Sequence, residues 1–431
     1  MHKLSYISVI LFTAISVFAQ EHLALPDAVR MALTHNPDIQ AAKNSAANAA
    51  NRAQIGNAGL LPRLTLTAGA TYTEETNGAG SAGTQASTAP TAQVQAGYTL
   101  FDGFGNIYRF KSLRTAGELG RSEAIRQIES VILQVADGYY RCASSFENFQ
   151  IAETLVRISN ERLQRAKNRS DYGQARTIDV LSARVDLNAD SVTLAQASLS
   201  RDQAMRSLNL LLFRDVHTTF TVDTAVTIPP DFHTSDLLTR AMENNAVLQS
   251  AQLRRRQARY DYNISKTAHL PQLDLSASYG YSQFNPDFDT AFGDPVKTAR
   301  VGATVTFNLF NGFQAHIQRQ NARRTYETQR LMADQAVLAL ETDLYNAVQA
   351  FRTSLSVRDL AGRSLEVAEL NFKRTEELYH LGQVTTTQFR EAQLNLVRAQ
   401  SQVSTAKYDA KLSELAILRL TGELVQPESV E

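Results

Sequence analysis

Displaced by 209 positions, the chain of 431 residues aligns with itself without a gap at widely separated anchors. Asn36 falls on Asn245, Pro62 on Pro271, Gly103 on Gly312, and Gly173-Gln174 on Gly382-Gln383. The pentads FDGFG, from Phe101, and FNGFQ, from Phe310, coincide as well. A match at so long a period means one supersecondary plan written twice. The two repeats run over residues 24–214 and 234–424, and a linker, 215–233, joins them through the only double proline, Pro229-Pro230.

Proline shows what each repeat contains, because it breaks helix interiors and central strands. None occurs between Pro90 and Pro229 or between Pro295 and Pro427. Each repeat therefore has a long proline-free tail that begins just after its pentad. As a helix, residues 104–171 would reach roughly 100 Å at about 1.5 Å per residue. Apolar side chains fall at Ile125, Ile128, Ile132, Val135, Tyr139, Cys142, Phe146 and Phe149, steps of three and four that mark a coiled-coil seam. Val337, Leu344, Val348, Phe351 and Leu355 continue the pattern in the second tail, with Glu341 interrupting. These aromatics, and Cys142 with them, read as helix-packing core.

One glycine breaks each tail, in SDYGQART around Gly173 and in YHLGQVTT around Gly382. Glycine takes the left-handed backbone that ends a helix, and a following Thr can cap the next. Each tail is thus a helical hairpin, with return arms Thr177 to Leu212 and Thr386 to Leu420. The return arms are shorter than the outgoing ones, so further helices, expected over Asp38 to Gly59 and Val247 to Ala268, must cover the remaining seam.

Between those helices and the pentads the period changes to two. Leu64, Leu66, Ala68, Ala70 and Tyr72 alternate with Thr and Gly, and Val94, Ala96, Tyr98 and Leu100 with Gln, Gly and Thr. Leu273, Leu275, Ala277, Tyr279 and Tyr281, then Val301, Ala303, Val305, Phe307 and Leu309, repeat the alternation in the second half. Ten-residue segments with one greasy and one hydrogen-bonding face suit transmembrane strands, four per chain. On strand pattern alone the half-buried sheet of a soluble domain fits as well. The repeat, the signs of export and the lack of any other apolar partner turn the reading toward a membrane. Glu74 to Thr91 and Asn285 to Lys297, rich in small or turn-forming residues, are expected as outward loops.

Export is read from MHKLSYISVILFTAISVFAQ: one Lys, an apolar run from Ile7 to Phe18, and Val17-Phe18-Ala19 before an expected cleavage after Ala19. Losing residues 1–19 leaves 42 basic and 43 acidic residues, a net charge of −1, with no pull on nucleic acid. The single cysteine, Cys142, excludes an internal disulfide, and its distance from the cleavage point excludes a cysteine-linked lipid there. No later apolar run reaches 18 residues, so a helical membrane bundle is excluded too.

Four strands leave two open edges, and an unpaired edge in hydrocarbon costs several kcal/mol per unsatisfied backbone group. Outer-membrane barrels begin at eight strands, so at least two chains must combine. The count of subunits stays open on this ground alone.

The order of helix, LPxL strand, strand ending in LFDG or LFNG, long helix, Gly-turn and TIDVLSA return helix, all duplicated, resembles the TolC-type outer-membrane efflux proteins. The resemblance covers essentially the whole mature chain. It implies a membrane α+β fold: a homotrimer whose twelve strands close one outer-membrane barrel, continued by a helical coiled-coil barrel in the periplasm. It also implies the role of passive exit duct in a tripartite efflux or type I secretion system, docked to a periplasmic adaptor and an inner-membrane transporter. On the same resemblance, Gly173, Gln174, Gly382, Gln383 and Val384 are the adaptor-contact tips. Phe101, Gly103, Phe310 and Gly312 become strand-to-helix hinges near the lipid interface, glycine letting the backbone bend.

A channel gate is expected from Asp179, Ser182, Tyr379, Gln388 and Glu391. In relatives a first-hairpin aspartate bonds to a second-hairpin tyrosine and arginine; Asp179 and Tyr379 match two of these positions, but Val384 stands at the third. The charged latch is thus incomplete, which implies either a weaker closure or closure by another cation. Relatives carry two acids in the second hairpin, here Gln388 and Glu391, so three copies of Glu391 would form an acidic ring favouring cations. A solvated helix carboxylate is the plainer fate of Glu391.

No HExxH, cysteine pair or GxSxG is present, and GFG at Gly103 to Gly105 lacks the lysine of a phosphate loop. No enzyme activity, metal or cofactor is therefore expected. A free-standing diffusion porin is the runner-up, and it gives the long helices no purpose.

Overall fold

The computed structural model describes residues 21–76, 84–173, 176–229, 231–232, 234–282 and 296–425. The expected leader, Gln174 at the first tip and most of the expected 285–297 loop lie outside them. The first half holds β1 (Glu21–Leu23), α1 (Leu25–His35), α2 (Pro37–Arg52), β2 (Arg63–Thr76), β3 (Thr84–Phe101), α3 (Gly105–Asp171) and α4 (Thr177–Leu211). Then come β4 (Phe220–Val222), α5 (Thr234–Asn244), α6 (Ala246–Thr267), β5 (Gln272–Ser282), β6 (Val296–Thr306), α7 (Gln314–His380) and α8 (Thr386–Leu420).

The outgoing helices α3 and α7 each hold 67 residues, and the return helices α4 and α8 each hold 35. The asparagine anchors have matching jobs. Asn36 Nδ2 donates to the carbonyl of Leu211, the last residue of α4, at 2.9 Å, and Asn245 Nδ2 to that of Leu420, the last of α8, at 3.0 Å. Each satisfies a carbonyl that a helix end leaves without an intrahelical partner. After α4, Phe213 N–H reaches Leu210 O and Arg214 N–H reaches Asn209 O; after α8, Gly422 and Glu423 make the same pair of bonds. That left-handed cap suits glycine, yet Phe213 adopts φ +53° where Gly422 has +71°.

The chain forms two compact units, each drawing on both sequence halves because α3 and α7 contribute to both. One comprises Met1–Asn36, Ile132–Pro229 and Phe351–Ser413; the other comprises Pro37–Val131, Pro230–Ala350 and Glu414–Glu431. In the first, β1 and β4 pair in parallel, Leu23 beside Val222. Tyr139, fully buried, ties this pair to α3: its hydroxyl donates to Leu23 O at 3.0 Å and accepts from Asp223 N–H at 2.9 Å. Lys407 Nζ on α8 donates to Thr224 O at 3.0 Å and lies 2.6 Å from Glu147 Oε1, holding the linker against the hairpins.

The expected seam on α3 is buried at Ile128, Ile132, Val135, Tyr139 and Cys142 and half-buried at Ile125, Phe146 and Phe149. Val131, Ala136, Tyr140 and Ala143 are buried too, so the apolar stripe is wider than a two-helix seam. Burial pushes the Cys142 thiol up to about 12, as befits an inert core residue. On α7 the stripe is narrower, with Leu344, Val348 and Phe351 buried and Glu341 half-buried at its margin.

The second unit carries one antiparallel sheet in the order β2-β3-β5-β6. Its register sorts the faces: Leu64, Ala96, Ala277 and Val301 make one cross-strand row, and Thr65, Gln95, Ser278 and Arg300 the next, pointing the other way. The apolar face is bare in the single chain, with Leu64 73% and Val301 89% exposed. Among the described residues, strands β2 and β6 have one neighbour each.

Several expectations are corrected. Most of the stretch Glu74 to Thr91 is strand, with Thr76 paired to Thr84. Pro90 lies within this strand, opposite Ala70 of β2. Strand β6 ends at Thr306, opposite Gln272, so Phe307 to Phe310 lie beyond the ladder; Pro271 has no N–H with which to extend it. The helix expected to Gly59 stops at Arg52, and 53–59 turn instead. Helices α1 and α5 and the β1–β4 pair were not foreseen from the sequence.

Candidate functional site

The hairpin tips are built from glycine turns and capped helix starts. Gly173 and Gly382 both sit at positive φ, +70° and +74°. Gly382 N–H reaches Tyr379 O and Gln383 N–H reaches Leu378 O, closing α7. Val384 is half-buried and the neighbouring Gln383 exposed. Helix α8 starts with a reciprocal pair: Thr385 N–H donates to Gln388 Oε1 at 2.9 Å, and Gln388 N–H to Thr385 Oγ1 at 3.2 Å. Asp179 holds the same place in α4, its Oδ2 accepting from Arg176 N–H at 3.2 Å.

Of the five gate candidates, Asp179, Ser182, Tyr379 and Glu391 line one cavity of about 460 Å³ between the two hairpins, within the first compact unit. Gln388 does not line it; its side chain accepts from Thr385 N–H in the cap of α8. The Tyr379 ring stacks on Phe389 at 4.6 Å between centroids, and Phe389 packs on Phe372, which fixes the tyrosine within its own hairpin. Among the described residues no hydrogen bond joins Asp179 to Tyr379. The Glu391 carboxylate is exposed and has no hydrogen-bond or ion-pair partner among them.

The link between the hairpins lies deeper than the tips. Arg390 of α8 grips Asp190 of α4 with two bonds, Nη2 to Oδ1 at 2.6 Å and Nη1 to Oδ2 at 2.7 Å. Their side chains are only 17% and 3% exposed. Ser159 of α3 donates its hydroxyl to Asp190 as well, and Gln393 accepts from Arg390 Nη1 at 3.1 Å. One turn further along α3, the buried Arg162 pairs with Asp186. Two-pronged Arg–carboxylate pairs combine charge with fixed geometry. Sequence reasoning missed this cluster, although it carries a signal: Ser159 and Arg162, Asp186 and Asp190, and Arg390 and Gln393 are polar pairs spaced three or four apart, each on one helix face.

At the hinges, Gly103 and Gly312 take φ of +70° and +64°, and each is followed by a phenylalanine that is also left-handed, Phe104 at +68° and Phe313 at +64°. Two such residues in succession bend the chain between ladder and helix. Phe101 meets Phe104, and Phe310 meets Phe313, edge to face with centroids 5.4 Å apart in both cases. The pentads thus encode a folded aromatic corner, and Phe104 and Phe313 join the expected hinge residues. At Gly103 an added Cβ would come within 2.6 Å of Leu270; at Gly312 it would meet open space.

Among the described residues no group of His, Cys, Asp and Glu is placed to hold a metal ion, and no helix is long and apolar enough to cross a membrane. A sheet bare on an apolar face, joined through aromatic corners to paired long hairpins, is the plan of an outer-membrane channel. The chain belongs to the outer membrane efflux protein family, whose model matches residues 28–212 and again 237–423. It is 23% identical over 332 residues to outer membrane protein TolC of Vibrio cholerae, covering 74% of each chain. With outer membrane protein TolC of Escherichia coli K12 it shares 22% over 415 residues, 90% of this chain and 80% of that one. Its fold superimposes on the Campylobacter jejuni CmeC outer membrane channel with a TM-score of 0.81 at 18% identity, covering 94% of this chain and 86% of the other. It is an outer-membrane protein.

Proposed function

We propose that three copies of this chain pair β6 of one with β2 of the next to close a twelve-stranded barrel, and that their hairpins form the periplasmic tunnel below it. The observation that carries this is the sheet itself, four strands with two open edges and one bare apolar face. In a membrane those edges demand partners, and the apolar face demands lipid. The assembly is a passive exit duct. An inner-membrane transporter and a periplasmic adaptor deliver the substrate, and the adaptor seats on Gly173, Gln174, Gly382, Gln383 and Val384. The duct is shut where Asp179, Ser182, Tyr379 and Glu391 surround the cavity, with Arg390 on Asp190 as the cationic tie that Val384 does not provide. Three copies of the unpaired Glu391 supply an acidic ring.

The test is reconstitution in planar bilayers with reversal potentials measured in a salt gradient. Wild type should be a cation-preferring channel, and Glu391→Gln should lose that preference. A mature protein that stays monomeric and soluble without detergent would end the channel reading. Unchanged reversal potentials would remove Glu391 from the gate. A cysteine placed at Gln383 should crosslink to the adaptor.

A further inference from the structure

Among the described residues, the hydrogen-bonding face of the sheet carries one mid-strand charge without a partner. Arg300 is the fifth of the 11 residues of β6. Its side chain is exposed, and among the described residues it makes no hydrogen bond or ion pair. Directly across the ladder stands Ser278, and the diagonal places hold Gly280 and Ser276. Along β6 itself the same-face neighbours are Thr298 and Gly302. The surroundings are small, so nothing competes for the space into which the guanidinium projects.

The other charges on this face are placed differently. Asp274, near the opposite end of the ladder, already accepts from Thr99 Oγ1 at 2.7 Å and from Gln272 Nε2 at 3.0 Å. Arg63 and Glu75 lie at the two ends of β2. Val301, the next residue after Arg300, belongs to the bare apolar face. With lipid on that face, Arg300 must turn to water, since an arginine facing lipid at mid-depth is destabilising.

We infer that Arg300 lines the aqueous interior of the barrel and that its copies form a basic belt favouring small anionic solutes in this segment of the duct. The inference rests on three chains closing one barrel. Twelve strands spaced about 4.8 Å apart and tilted about 40° close at a backbone radius of roughly 12 Å. A long side chain reaching inward from that wall brings its charge within about one Debye length of the axis, about 10 Å at 0.1 M salt and 30 Å at 0.01 M. The belt therefore acts on every ion that passes, and more strongly at low salt.

The experiment reads the local potential without depending on the gate. In full-length protein reconstituted in liposomes, single cysteines are placed at Thr304, on the face of Arg300, and at Val301, on the opposite face. They are labelled with an anionic and with a cationic water-soluble thiol reagent at 0.01 M salt. The native Cys142 is 0% exposed and gives a silent background. Thr304→Cys should react readily and Val301→Cys should not. Adding Arg300→Gln should lower the ratio of anionic to cationic labelling rates at position 304 by at least about threefold, and 0.5 M salt should remove the difference. An unchanged ratio with position 304 still reactive would overturn the belt and leave the channel standing. Labelling at 301 in preference to 304 would overturn the facing of the sheet, and with it the barrel. A monomeric product in detergent would refute the trimer first, and this inference through it.

Discussion

The Asp190–Arg390 tie makes a demand that can be measured. Asp190→Asn keeps the shape of the side chain and removes its charge, leaving the Arg390 guanidinium, mostly buried, against a neutral amide. Asp190 accepts from three donors, two nitrogens of Arg390 and the hydroxyl of Ser159. Breaking a buried pair from one side costs about 3–5 kcal/mol, and the retained amide oxygen argues for the lower end, about 3 kcal/mol. Because the tie joins α4 to α8, that loss falls on local opening of the hairpins. At about 1.4 kcal/mol per tenfold, amide exchange in the first turns of α8 should speed up by roughly 150-fold. Native-state hydrogen exchange on the detergent-solubilised protein reads this directly. Arg390→Gln added to Asp190→Asn should cost under about 1 kcal/mol more, because the partner is already gone. If each single change alters exchange less than fivefold and the two simply add, the pair does not hold the hairpins together.

Other positions give independent checks. Phe213, at φ +53° and 60% exposed, fills the cap that Gly422 fills after α8, so Phe213→Gly should stabilise the end of α4 by about 1 kcal/mol in urea unfolding. Gly103→Ala should impair folding and assembly more than Gly312→Ala: both carry the left-handed strain of about 1 kcal/mol, but only the former drives a Cβ against Leu270, and trimer yield on gels reads the difference. Burial raises the carboxyl of Glu129 from 4.5 to about 7, with the Arg419 guanidinium pulling it the other way. Its protonated form fits the fold, so the stability it contributes is complete below about pH 4.5 and lost as pH rises through about 7. Glu129→Gln should therefore leave stability unchanged at pH 4 and raise it by up to roughly 3 kcal/mol at pH 8 in denaturant titrations.

The parts legible in the sequence were those with a long, regular period. Helices α3, α4, α7 and α8 and the body of the sheet follow from proline-free runs, glycine turns and two-residue alternation, because each signal repeats many times within its element. The β1–β4 pair was not legible: three residues near one end pair with three residues some 200 positions later, and so short a run shows no alternation. Nor was the left-handed Phe104, since no propensity suggests an aromatic residue at positive φ; its edge-to-face contact with Phe101 exists only after the corner has formed. Ser159, Asp190 and Gln393 were not singled out in the sequence, because polar helix residues usually face solvent. Only the third helix, packed over them, makes them interior. Gln388, at a position likened to a pore-lining acid, forms half of the cap that starts α8, a local contact its place in the sequence did not announce.

The unpaired margins of β2 and β6 also bear on inheritance. In the proposed three-chain barrel a single protomer has no route to a finished wall, so every assembly would depend on the soundness of each member it recruits. A copy with a proline in β6 would fold its helices, join healthy partners and leave the ring unsealed. Such alleles should be dominant over the normal gene when the two are expressed together, whereas alleles that abolish synthesis should be recessive.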